Sequence, residues 1–151
     1  MARPLEERND RALRSVLLAL FRRRGGSGRS TREFDELEPE LQAALLARAA
    51  LRDGELPLWA CVLAPERWTL LTTRQLVSRT EDQLDRVSLA EIVAVQPDFP
   101  AIAEDGAGGS KKRWRWLHIE TAGGRSLRLE VEAGLPFVGL WNTLGYVAGQ
   151  E

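Results

Sequence analysis

Catalysis in this chain of 151 residues would have to pass through very few side chains. There is one histidine, His118, and one cysteine, Cys61, so a Ser/His/Asp or Cys/His arrangement has one candidate base and one candidate thiolate. Cys61 falls in the apolar run Leu58–Leu63, where a thiol is normally inert, and a lone cysteine forms no internal disulfide. No Cys/His grouping has the spacing of structural zinc. The run Gly106-Ala107-Gly108-Gly109-Ser110 lacks the Lys-Ser/Thr ending of a phosphate loop and does not open a helix. His118, with Glu120 two residues on and Arg128 across a hairpin, reads as a residue of a strand surface rather than a base. The expectation is a chain without catalytic residues, metal ligands or a cofactor.

One stretch has interaction character. Lys111-Lys112-Arg113-Trp114-Arg115-Trp116 interleaves basic and aromatic side chains, which can meet phosphates, stack on bases or anchor at a membrane surface. Four positive charges are a weak electrostatic footprint on a chain whose net charge is −1. Charge instead alternates along the sequence. Residues 1–33 carry nine arginines against four acids, and residues 34–66 carry two against seven. Residues 67–110 carry four against seven, and residues 111–151 carry six basic residues against four acids. Such alternation favours segments that pair with each other over one basic face for nucleic acid.

The elements that must position these residues follow from periodicity. Leu13, Val16, Leu17, Leu20 and Phe21 lie at i, i+3, i+4, i+7 and i+8, the spacing of one helix face, and predict a helix over about 10–24. Asn9 or Asp10 can cap it, and Gly25-Gly26 can end it. Gly25–Ser30 then reads as a flexible connector. A second helix is expected over about 37–52, with Leu37, Leu41, Ala44 and Leu45 as its stripe and Asp53-Gly54 as its stop. Val16–Phe21 is too short for a signal h-region, and no segment approaches the roughly 20 apolar residues that span a bilayer, so a cytoplasmic protein is the simplest expectation.

From Glu55 the period changes to that of strands. Leu58–Leu63 is nearly all apolar, as in a strand covered on both faces. Trp68–Thr73, Leu76–Thr80, Leu84–Val87 and Glu91–Gln96 follow, joined by short polar breaks such as Ala64-Pro65-Glu66-Arg67. Residues 97–113 read as a long loop with Gly106–Ser110 at its tip. Arg115–Thr121 and Ser126–Glu132 form a hairpin about Ala122-Gly123-Gly124. Its alternation turns Leu117, Ile119, Leu127, Leu129 and Val131 one way, and Trp116, His118, Glu120, Arg128 and Glu130 the other. A closing helix starts near Leu135-Pro136 with Phe137, Leu140, Trp141 and Leu144 as its stripe.

In this order, residues 54–148 resemble the bacterial pleckstrin-homology-like domain, within the pleckstrin-homology superfold. The resemblance is carried by Gly54-Glu55 leading to Trp68-Thr69-Leu70-Leu71-Thr72-Thr73, by Val87-Ser88-Leu89-Ala90-Glu91-Ile92-Val93-Ala94-Val95, and by the closing hairpin and helix with Trp141 at a core aromatic position. It implies about seven antiparallel strands in two orthogonal sheets, sealed at one corner by the last helix. It also implies binding of peptides, partner domains or lipid headgroups, with no chemistry. Phosphoinositide-binding members carry a basic loop between their first two strands. Here that loop is Ala64-Pro65-Glu66-Arg67, with one arginine, which argues against a headgroup there.

The sequence therefore reads as an α+β protein, a small antiparallel two-sheet β-barrel or sandwich closed by a C-terminal helix. Residues 1–53 form a helical extension and residues 54–151 the pleckstrin-homology-like domain. The expected function is that of a non-enzymatic binding or adaptor protein. Its partner surface comprises Trp114, Trp116, His118 and Arg128 with Lys111, Lys112 and Arg113, and it engages a protein. The alternative is an anionic membrane or nucleic acid held by Lys111–Trp116 and the N-terminal arginines. Trp114 and Trp116 are expected to face away from the core, where the first helix could cover them. That helix could instead make a homodimer or lie on a membrane, although Glu6, Glu7 and Asp10 weaken the last idea.

Overall fold

The computed structural model describes residues 8–106 and 109–149. Helix α1 spans Asp10–Arg24, and the Asn9 side chain caps it by accepting hydrogen bonds from the Arg11 and Ala12 amides. Leu13, Leu17, Leu18 and Phe21 form its buried stripe, and Arg22, Arg23 and Arg24 fill its last turn, where cations suit the helix dipole. The chain that follows is not simply a connector. It enters a short strand, β1 (Thr31–Glu33), which was not legible because it owes its place to a distant residue. The Glu132 carboxylate accepts hydrogen bonds from the Arg29 amide, the Ser30 amide and the Thr31 hydroxyl at 2.8, 2.8 and 2.9 Å. A 3-10 turn, Phe34–Glu36, leads to helix α2 (Pro39–Ala49), shorter at both ends than the expected 37–52. The helix stops because Ala50 adopts the left-handed region, φ 52°, well before Asp53-Gly54.

The next four strands are a meander: β2 (Pro57–Ala64), β3 (Arg67–Thr72), β4 (Gln75–Thr80) and β5 (Gln83–Ser88). With β1 pairing antiparallel to β2, the five-stranded sheet runs in the order β1-β2-β3-β4-β5. Its two faces bury different partners, which is why Leu58–Leu63 lacks polar alternation. Trp59, Cys61, Leu71, Leu76 and Val87 join the main core with α1 and the last helix. Ala60, Trp68, Leu70 and Val77 pack beneath α2 with Phe34, Leu45 and Ala49. Arg86 fastens this second layer, donating to the Arg48 carbonyl at 3.0 Å and to that of Ala49, at the C-terminal end of α2.

A 3-10 turn, Leu89–Glu91, carries the chain from β5 into β6 (Ile92–Pro97) of a second sheet, with β7 (Trp116–Thr121) and β8 (Ser126–Glu130) in the order β6-β7-β8. Because that turn leaves the ladder, the two antiparallel sheets are not closed into a barrel. The predicted loop over 97–113 holds two ordered pieces: helix α3 (Phe99–Glu104) and a 3-10 turn, Lys111–Arg113. Ala107 and Gly108 of the expected glycine-rich tip lie outside the described residues.

Helix α4 (Leu135–Ala148) crosses the inner core. Phe137, Leu140 and Leu144 are buried. Trp141, expected as the core aromatic, is only half-buried, because Phe137 fills the central position and Trp141 sits one turn outward, ring centroids 6.1 Å away. Residues 10–24 share this core: Phe21 and Gly139 of α4 approach so closely that a Cβ on Gly139 would lie 2.8 Å from the Phe21 ring. Gly25 is under similar constraint, with a built Cβ 2.3 Å from the Leu135 carbonyl oxygen. Among the described residues no helix is long and apolar enough to cross a membrane.

Candidate interaction surface

The outer face of the three-stranded sheet carries the residues that alternation turns away from the core. Leu117, Ile119, Leu127 and Leu129 are buried on the inner side. On the outer side the antiparallel register places Trp116 opposite Glu130, His118 opposite Arg128 and Glu120 opposite Ser126, with Gln96 of β6 beside His118. Directly opposed residues in such a pair hold their Cβ atoms about 5 Å apart, so these side chains act as neighbours.

Asp98 organises the centre of this face. It is only 5% exposed, and one carboxylate oxygen accepts the Ala101 amide at 3.1 Å, capping α3. The other accepts from Arg128 Nε at 2.9 Å and lies 3.9 Å from His118 Nδ1. His118 Nε2 is 3.4 Å from Glu120 Oε1. A buried carboxylate thus holds the inner edge of the Arg128 guanidinium, and about half of that side chain stays open to solvent. The signal for this helix start was present in Asp98-Phe99-Pro100, a capping residue followed by Pro in the first turn. The loop-rich composition around it hid both α3 and the role of Asp98.

Trp116 is anchored at the end of the same face. Arg115 grips Asp105 with two bonds, Nε to Oδ2 at 2.8 Å and Nη2 to Oδ1 at 2.7 Å, and also lies 3.4 Å from Glu130. The bonded Arg115 holds the Asp105 carboxyl below its ordinary range, with a smaller contribution from a Trp116 hydrogen bond. The same pair raises Arg115. Glu130 in turn accepts from Arg67 at 3.2 Å. Most charges of this face are therefore fixed by opposite charges within the chain.

Trp114 and the basic triplet belong elsewhere. Lys111–Arg113 form their own turn, so Trp114 does not continue the alternation of β7 and does not stand beside Trp116 on the outer face. Its ring packs against the main core, edge-on to Phe99 at 5.5 Å and to Phe137 at 6.4 Å. Its indole Nε1 is buried with no hydrogen-bond partner among the described residues. The first helix does not cover the two tryptophans either. It lies against α4 and β2 because Phe21 stacks on Trp59.

The remaining candidates are accounted for by packing. Cys61 is buried, and burial pushes its thiol up. A polar cavity of about 260 Å³ lies where α1 begins, lined by Asp10, Arg52, Glu55, Thr73 and Arg74 among others. Its polar groups serve the fold. Buried Glu55 accepts from the Arg52 amide and Gln75 Nε2, both at 2.9 Å, and from the Thr72 hydroxyl. Asp10 accepts from Arg74 Nε at 2.9 Å and from the Thr73 hydroxyl. No grouping of three or more His, Cys, Asp or Glu residues able to hold a metal occurs among the described residues. Comparison with known protein families, with curated proteins and with solved structures returned no match.

Proposed function

We propose that this chain is a non-enzymatic binding or adaptor protein of pleckstrin-homology-like build, which engages a protein partner through the outer face of β6-β7-β8. The order of elements supports the build: a four-strand meander β2–β5, a three-strand meander β6–β8, then a closing helix. On this reading α1, β1 and α2 are additions to that plan, α2 covering the outer side of the larger sheet. The two-residue turn Pro65-Glu66 between β2 and β3 favours a protein over a lipid headgroup, because it brings no basic cluster to that corner.

The observation that carries the proposal is the holding of Arg128 by buried Asp98 beside His118, with half-buried Trp116 at the end of the same face. Tryptophan and arginine are the residues that most often dominate protein interfaces, and an arginine already fixed along one edge loses less entropy on docking. Mixed charges that are paired within the chain suit a protein surface better than the uniform charge of phosphates.

The test compares the chain with Arg128→Ala and Trp116→Ala variants as baits in lysate of the native cell. The expected result is a protein retained by the parent and lost by both variants while both stay folded, Trp116→Ala melting as the parent does and Arg128→Ala somewhat lower because buried Asp98 loses its cation. Retention of the same proteins by all three overturns the assignment of this face.

A further inference from the structure

Arg24 and Lys111, far apart in sequence, line one groove. Helices α1 and α4 lie side by side, and on their solvent side a groove of about 580 Å³ is lined by Leu20, Arg24, Lys111, Val138, Trp141 and Tyr146, among others. Leu20 and Val138 give it an apolar floor, and Trp141 stands against Phe137 beneath it. The Lys111 ammonium lies 5.3 Å from the centre of the Trp141 ring, a cation–π distance. Arg8 donates to the Tyr146 hydroxyl at 3.1 Å at the α4 end of the groove.

The charges around it differ from those of the sheet face. Arg22 is taken by Glu33, but Arg23, Arg24, Lys111, Lys112 and Arg113 have no carboxylate within ion-pair distance among the described residues. No acidic residue lines the groove. A helix dipole accounts for cations at the end of α1. It does not account for Lys111, which another segment brings to the same groove as Arg24. We propose that this groove, separate from the outer face of the small sheet, binds an acidic segment of a partner protein. One apolar side chain of that segment would lie over Leu20, Val138 and Trp141, and its carboxylates would meet Arg24 and Lys111.

The shape decides among anionic partners. Trp141 is half-buried in the groove, whereas anchoring at a bilayer needs aromatic rings that project. Base stacking needs an open ring face, and Lys111 already lies over that of Trp141. From Val138 to Tyr146 the helix rises about 12 Å, room for roughly four extended residues. A short linear segment fits those dimensions.

The experiment titrates the full chain with short synthetic peptides that combine Asp or Glu with a single Leu, Phe or Trp. Binding is followed by the Trp141 indole N–H resonance. Anionic phospholipid vesicles and a single-stranded oligonucleotide serve as rival probes. The expected result is a saturable shift with the acidic peptides that weakens as salt rises and is absent when their acids are replaced by lysine. A combined R24Q/K111Q variant, altered only at exposed side chains, is expected to bind about tenfold or more weakly while staying folded, with a melting temperature only slightly below the parent's. Trp116→Ala, which strikes the sheet face, is expected to leave the affinity as it was. Failure of every acidic peptide to saturate the shift, equal binding of the lysine peptides, no loss in R24Q/K111Q, or tighter binding of vesicles or oligonucleotide overturns the proposal.

Discussion

Phe21 of α1 stacks on Trp59 of β2 with ring centroids 5.1 Å apart and planes inclined by 22°, and both side chains are essentially inaccessible to solvent. This contact makes the first helix a wall of the main core rather than an arm. Replacing Phe21 by Ala removes the stacked ring and leaves a cavity against Trp59 and Gly139, so a loss of about 3–5 kcal/mol is expected in denaturant unfolding. The same geometry bears on dimerisation through α1. Deleting residues 1–30 is expected to give an aggregating or unfolded product, whereas a soluble monomer with the parent's circular dichroism would show that α1 is dispensable to the core.

Asp98→Ala breaks two structures at once, the cap of α3 and the hold on Arg128. A lost cap costs about 1 kcal/mol, and loss of a charge-assisted bond of this kind adds about 1–2 kcal/mol. The variant is expected to melt lower and, on the proposed reading, to lose the partner as Arg128→Ala does. Asn at the same position still caps a helix, so Asp98→Asn is expected to recover the stability lost with the cap and only part of the binding. Equal melting temperatures for Ala and Asn would show that the cap contributes nothing.

What could be read from sequence follows from the range of the forces involved. Alternation is local, so the two faces of the β7–β8 hairpin and the side shared by Trp116, His118 and Arg128 were legible residue by residue. The buried stripe of α1 was legible for the same reason, but the surface that receives it was not. That choice depends on the fit of Phe21 against Trp59 and of Gly25 and Gly139 between helices, none of which is periodic. Trp114 was misplaced because the alternation of β7 was extended two residues too far, across the end of the Lys111–Arg113 turn. Strand β1 is held by Glu132, about a hundred residues away, and nothing local marks it.

Ala50 ends α2 in the left-handed region at φ 52°, where its Cβ crowds the following carbonyl. Glycine has no such penalty, and the Ala50 amide keeps its bond to the Leu46 carbonyl in either case. Ala50→Gly is therefore expected to be one of the few glycine substitutions that stabilises this chain, by about 0.5–1 kcal/mol, offset in part by the freedom glycine adds to the unfolded state. Ala50→Val, β-branched and worse in this region, is expected to melt lower than the parent. Thermal unfolding of the two variants beside the parent decides the matter.

The pairing of Arg22 with Glu33 ties the end of α1 to β1 and gives the fold an acid-sensitive joint. The hydrogen bond from Arg22 lowers the Glu33 carboxyl from its ordinary value of 4.5, against the opposing effect of burial. Asp10 behaves alike at the other end of α1. Burial raises it, but bonds from Thr73 and Arg74 prevail and the net shift is downward. A carboxyl lowered by folding binds protons more readily in the unfolded chain, so its contribution is complete above the unfolded value and is lost as pH falls through the folded one. Stability is thus expected to be flat with respect to these two groups near neutrality and to decline below about pH 4.5. Glu33→Gln is expected to flatten that decline while lowering stability modestly at neutral pH, since Arg22 is largely exposed and its pairing is screened by solvent. Denaturant unfolding from pH 7 down to pH 3 measures both effects. An acid limb of the same slope in the variant would show that Glu33 does not carry it.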